Sequence, residues 1–292
     1  MTFLNWLILA EYAIGGCAYT YSLCVIIRIL RRIWDGRKTL SISHCLLIYF
    51  ICWSVSITTS YPPMIYVFIQ WSPNGIRADP YALFWTSIPS FSLSPCIPVA
   101  VFFLTFERLS FTMFPLFYLH SKWKWALTIV TILSIVLCYC SNFVALYQEL
   151  PLLPEAKKCS VVSCVFLKTG LAFFTTTKTC VSALNFVVGL IFLYKFWQTT
   201  RHIHLNHQTS ASISRRRTNK VALFVICLDF FLNFLPQLSS LFLLKVFGVS
   251  LASFLGSYNF VFQSIDIVVS SMIYSSSIKK KKSKETITFV KS

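Results

Sequence analysis

Apolar positions in this chain come in long, almost unbroken runs, with short polar stretches between them. A helix crossing ~30 Å of hydrocarbon needs about 20 mostly apolar residues. Seven windows meet that requirement: Leu4–Ile27, His44–Phe68, Tyr81–Phe106, Ala126–Tyr147, Leu171–Tyr194, Val221–Leu244 and Phe254–Tyr274. The third contains Pro89, Pro95 and Pro98. Proline is tolerated in a membrane helix where neighbouring groups take up the freed carbonyls, so the outer half of this span is expected to be kinked or irregular. No basic segment precedes the first run and no clear cleavage site follows it, so that run is expected to stay as a span. The pattern predicts an all-α membrane protein, a seven-transmembrane helix bundle over residues 1–276 followed by a basic tail at 277–292. The odd number of spans and their unmatched halves argue against an inverted-repeat transporter.

Composition agrees with the pattern. Hydrophobic residues make up 56% of the 292 positions and charged residues 12%, where a soluble domain carries about 25% charge. The aromatic share of 17% suits lipid-facing and interfacial positions. Charge sets the expected direction. Of the 26 Lys and Arg residues, 20 fall in the first, third and fifth connections and the tail. They include Arg28, Arg31, Arg32, Arg215, Arg216, Arg217 and the run Lys279–Lys282. Only Asp35, Glu107 and Glu285 oppose them, so this side carries the whole formal charge of +17. The positive-inside tendency then puts the N-terminus outside and the C-terminus inside. The excess charge faces an anionic inner leaflet, and no nucleic-acid partner is needed to explain it.

Ionisable groups inside spans cost roughly 2.5–3.5 kcal/mol each on insertion scales and call for a reason. Glu11 and Lys245, near span ends, are expected to reach back to the interface. Lys178 lies seven residues into the fifth span, and Asp229 eight residues from the inner end of the sixth. At 1.5 Å per residue these are depths of about 10 and 12 Å. Asp266 is near mid-depth of the seventh. The two aspartates can therefore share a level on neighbouring helices. Each could be hydrogen-bonded to Ser, Thr or Asn for packing. Together they could form a polar centre coupling the sixth and seventh spans through a proton, an ion or a basic partner. Lys178 faces the outer half, where a ligand would enter, so Lys178 and Asp266 are the candidate ligand contacts. Glu107 and Arg108 mark the inner end of the third span. They are either interfacial anchors or a pair whose arginine alternates between Glu107 and a cytoplasmic partner.

Other constellations are weak. His202, His204 and His207 form a short cluster, but the chain has only five histidines, and no metal or other cofactor is expected. Walker A and H-E-x-x-H sequences are missing, as is the G-x-S-x-G elbow, so the chain does not read as an enzyme. Nine of the 11 cysteines lie in apolar stretches, where cysteine behaves as a small hydrophobe. Cys159 and Cys164 sit in a polar connection on the expected outer, oxidising side. A local disulfide between them is expected there. Free thiols, or a bridge from one of them to a helix top, are the alternatives.

The order of motifs resembles the nematode serpentine chemoreceptors, which are G-protein-coupled receptors, and among their classes most nearly class bc. The carrying segments are Ile88-Pro89-Ser90-Phe91-Ser92-Leu93-Ser94, then Phe106-Glu107-Arg108-Leu109 with Pro115-Leu116-Phe117-Tyr118, then Cys159-Ser160-Val161-Val162-Ser163-Cys164. Arg217-Thr218-Asn219-Lys220-Val221-Ala222-Leu223, Phe234-Leu235-Pro236 and Gly256-Ser257-Tyr258-Asn259 continue the series. The chain departs from rhodopsin-like receptors at three places. Span seven has no N-P-x-x-Y, Glu107-Arg108 is followed by Leu109 rather than tyrosine, and Cys96 lies in mid-span.

The resemblance implies a chemosensory receptor that signals to a heterotrimeric G protein, in the plasma membrane and in the cilia of sensory neurons. Glu107, Arg108, Asp229 and Pro236 are then the candidate switch residues, with Pro236 as a kink in span six. An aromatic bundle with few charges suits a small, largely uncharged ligand. The alternative is a multi-pass channel or transporter for a small solute.

Overall fold

The computed structural model of the protein describes residues 3–35, 43–72, 79–114, 121–152, 170–205, 221–247 and 258–290. All regular structure among them is helical. The first span is Phe3–Asp35 and the second His44–Gln70. The third consists of Pro80–Leu93 and Cys96–Met113. Ser121–Tyr147 forms the fourth and Gly170–Leu205 the fifth. The sixth runs over 221–229, a π-helical turn Phe230–Phe234 and Leu235–Phe247. The seventh is Tyr258–Val290.

The first six are long and apolar enough to cross a membrane. The seventh falls below that hydropathy because it carries more polar residues, and several of these sit on one face. Ser264, Asp266, Ser270 and Ser271 are all buried, so this face looks into the bundle and not into lipid. The seven spans therefore close into one bundle. The first packs on the second and seventh, the third on the second, fourth and fifth, and the π turn on the fifth and seventh.

Local chemistry accounts for several boundaries. Ser43 caps the second span by accepting the Leu46 N–H at 3.3 Å. Asp79 caps the third, taking the N–H groups of Tyr81 and Ala82 at 3.3 Å each, with Pro80 in the first turn, where no N–H is needed. Glu149 is buried and accepts the Gly170 N–H, which puts a carboxylate on the N-terminus of the fifth span. The third span breaks at Ser94-Pro95, inside the proline-rich half. It also continues to Met113, so Glu107 and Arg108 stand within the helix rather than at its end. The seventh span continues as one helix through most of the basic tail, to Val290.

The expectation for Glu11 is corrected. It is 8% exposed and turned into the bundle, where burial with a partner replaces contact with the interface. Cys159, Cys164, His207 and Phe254 lie outside the described residues, as do the side chains of Lys245, His202 and His204.

Apolar packing divides around the polar middle of the bundle. One cluster joins Tyr49, Phe50, Trp53, Ile97, Val101 and Tyr274 at the end where the basic connections lie. A second joins Ile8, Tyr12, Met64, Phe84 and Leu146 at the opposite end. Outward faces stay apolar, as at Ile129, Leu133, Leu137, Leu184 and Phe231. In lipid such a face carries no penalty, and close helix approach comes from small residues instead. A Cβ on Gly16 would stand 2.9 Å from Met64 Sδ, and one on Gly189 2.6 Å from Ile226 Cγ2.

Candidate functional site

The fifth span shows how a nearly uniform apolar sequence acquires an inner face. Phe174, Lys178, Ser182, Asn185, Gly189 and Phe192 are all buried and recur every three or four residues. Such a stripe occupies one side of a 3.6-residue helix. Three of its members are polar, and they fall in the middle of the bundle.

There the side chains form a continuous relay across four spans. Thr105 of the third span shares its hydroxyl between the Val101 carbonyl at 2.8 Å and Asn185 Oδ1 at 3.3 Å. Asn185 Nδ2 donates to Asp229 Oδ2 at 2.6 Å. Asn233 Nδ2 donates to Asp229 Oδ1 at 3.2 Å and to Asp266 Oδ2 at 2.8 Å. Ser270 completes the chain by donating to Asp266 Oδ1 at 3.3 Å. Every residue in it is buried, Asp229 and Asp266 to 2% and 3% exposure. Each of the four carboxylate oxygens receives one donor. Full pairing is what makes such a network tolerable away from water. Tyr19 of the first span and Tyr49 of the second lie within electrostatic reach of Asp266.

The two aspartates thus share a level, and the group between them is the neutral amide of Asn233. A carboxamide can do this because its NH₂ carries two hydrogens, one for each carboxylate. Its position depends on the π turn. Leu235 N–H bonds the Phe230 carbonyl, five residues back. Pro236 has no N–H to offer the carbonyl four residues earlier, and its ring crowds that carbonyl, so a wider turn relieves the conflict. In a regular α-helix two steps of four residues drift about 80° off a face. The wider turn takes up that drift, and Asp229, Asn233 and Gln237 are all buried. Phe186 stacks on Phe230 with ring centroids 4.3 Å apart, sealing the lipid side of this stretch.

Glu107 and Arg108 lie apart from the relay, toward the basic connections. Glu107 is 3% exposed and accepts a hydrogen bond from Ser43, the residue that caps the second span. The ends of the second and third spans on the side of the basic connections are tied by this contact. Arg108 is half-buried, within electrostatic reach of Tyr274. Among the described residues no group of three His, Cys, Asp or Glu side chains has the spacing to hold a metal ion.

Sequence reasoning placed Lys178, Asp229 and Asp266 but passed over Asn185, Asn233, Thr105 and Ser270. Asparagine inside an apolar run was the available signal, since a membrane span leaves its amide no solvent to bond. Their order in the relay had no signal in the sequence.

Residues 4–282 match the family model described as the serpentine type 7TM GPCR chemoreceptor Srbc. No curated protein matches the chain.

Proposed function

Because the chain belongs to the Srbc family of serpentine seven-transmembrane chemoreceptors, we propose that it binds a small external chemical within the bundle and passes the change to a heterotrimeric G protein at the basic end. In this reading the N-terminus is outside, the receptor sits in the plasma membrane, and sensory cilia are its place of work. The observation that carries the reading is the relay from Thr105 to Ser270, which ties the third, fifth, sixth and seventh spans to one another at mid-depth. A ligand shifts a two-state bundle only by its differential affinity for the states. A hydrogen-bonded junction between four helices offers two discrete arrangements, made or broken. The π turn and Pro236 place the pliable point of the sixth span at that junction.

Arg108 then serves the cytoplasmic side. Its third-span neighbour Glu107 holds the second span through Ser43, and in this reading Arg108 meets a partner below the membrane. The test is second-messenger output normalised to surface receptor in transfected cells. Asn233→Ala is expected to change ligand-independent output at least threefold. Arg108→Ala is expected to lower output per surface receptor while surface level holds. Output per surface receptor equal to wild type in both would end the signalling reading.

A further inference from the structure

Just beyond the relay, away from the basic end, three buried polar side chains lack a partner among the described residues. Two contacts set the antiparallel register of the fifth and sixth spans: Gly189 against Ile226, and Asn185 on Asp229. Counting from them away from the basic end brings Ser182 to the level of Asn233, and Lys178 to the level of Gln237. Lys178 and Gln237 are 5% exposed and Ser182 2%. Many hydroxyls elsewhere in the spans are occupied by a carbonyl one turn back, as Thr179 is by Thr175 at 2.8 Å, though Ser87 and Ser92 of the third span are not. Ser182 Oγ has no partner. Among the described residues, Lys178 and Gln237 also make neither hydrogen bond nor ion pair. The acceptors that Lys178 senses electrostatically are the carboxylates of Asp229 and Asp266. Each of their four oxygens already accepts one donor, from Asn185, Asn233 or Ser270. An ammonium, an amide and a hydroxyl, all on buried side chains, therefore stand without a partner among the described residues. Such groups are rare enough in folded proteins that each calls for an explanation.

We propose that Lys178, Gln237 and Ser182 hold the ligand through an oxygen acceptor, and that the ligand is an uncharged carbonyl compound such as a ketone, ester or lactone. This rests on the receptor reading above and gives it a ligand class. Charge decides between the candidates. The centre holds two carboxylates and one ammonium. An acid would bring a third negative charge into a low dielectric, near both aspartates. An amine would face Lys178 with like charge. An alkane would leave the ammonium donors bare. A neutral carbonyl oxygen has two lone pairs for these donors and adds no charge. Apolar walls stand ready for the rest of the molecule. Phe174, one turn beyond Lys178, meets Phe91 of the third span at 5.5 Å. A ligand in this seat borders Asn233, so its binding bears directly on the relay.

The test uses full-length receptor in lipid nanodiscs and reads the thermal midpoint against probe concentration. The probes are five- to ten-carbon methyl ketones and methyl esters, with the alkanes, carboxylates and alkylamines of matching length. Ketones or esters are expected to raise the midpoint saturably, and the matched alkanes, acids and amines are not. Lys178→Met and Gln237→Leu are each expected to weaken that saturation at least about tenfold, with Leu238→Ala on the lipid face leaving it unchanged. Loss of a buried unpaired charge does not threaten folding in Lys178→Met, and Gln237→Leu probes the same seat independently. Saturable preference for a carboxylate or an amine would overturn the ligand class. Ketone binding untouched by both inner substitutions would overturn the site, and no saturable shift by any ketone or ester would overturn both. Ketone binding that depends on Lys178, in a receptor giving no cellular output, would support this site and remove the signalling reading alone.

Discussion

Ser43 does two things with one hydroxyl. It caps the second span by accepting the Leu46 N–H, and it donates to Glu107 of the third. Separate substitutions pull these apart. Ser43→Ala removes both, and loss of a serine cap costs about 1 kcal/mol. Glu107→Gln keeps the cap and discharges the acceptor. A hydrogen bond to a charged group contributes about 1.5–3 kcal/mol, enough to hold one of two states. Both variants are expected to raise basal output per surface receptor severalfold, and Ser43→Ala to lower the thermal midpoint further than Glu107→Gln, since it loses the cap as well. Basal output at the wild-type level in both would leave this contact a packing feature. The same reasoning applies to Asn233, whose amide is shared by two carboxylates. Its removal strips one donor from each, which is why the substitution is expected to alter function rather than merely loosen a surface.

At the scale of helices, the fifth and sixth spans are held at close range by Gly189, where a Cβ would press on Ile226 Cγ2 at 2.6 Å. Ile226 is β-branched and stiff at its first torsion, so it cannot swing aside. Gly189→Val is therefore expected to force the spans apart at a cost of about 1–3 kcal/mol. It should also stretch the Asn185–Asp229 contact one turn away. Ile226→Ala opens room at the same point. The double variant should recover most of the lost midpoint and surface level, a coupling measurable as a double-mutant cycle. Additive losses would show that the two side chains do not set this distance. The π turn belongs to the same scale: Pro236 disturbs the ladder, and the widened turn lets Asp229, Asn233 and Gln237 share a face.

The whole molecule is a multi-pass membrane protein of a chemoreceptor family, and its direction across the bilayer is a proposal carried by charge. Twenty Lys and Arg residues lie on one side. Tags at the two ends, probed in intact and permeabilised cells, measure it. The N-terminal tag is expected to stain intact cells and the C-terminal tag only permeabilised ones. The reverse pattern would invert the receptor, placing the seat of Lys178 and Gln237 nearer the cytoplasm and ruling out an external ligand entering there. The short Cys159–Cys164 loop belongs to the outer face in this orientation, and its pairing stands as a proposal.

Span number, fold class and family were legible in the sequence. A run of about 20 apolar residues can satisfy its backbone in lipid only as a helix, so composition alone dictates the element. The buried charges were legible for the same reason, since Lys178, Asp229 and Asp266 stand out from their surroundings by cost. Glu11 shows the limit. Its place near a span end suggested the interface, but which way a side chain turns depends on what lies beside the helix. The relay shows it more fully. Thr105, Asn185, Asp229, Asn233, Asp266 and Ser270 are spread over 166 residues of chain, and nothing local pairs them. Only packing of the third, fifth, sixth and seventh spans brings them within hydrogen-bond distance, and only the π turn aligns Asn233 between the two aspartates. Apolar runs are a property of the chain one segment at a time. Hydrogen-bond partners across helices are a property of register and rotation, which arise when the segments meet.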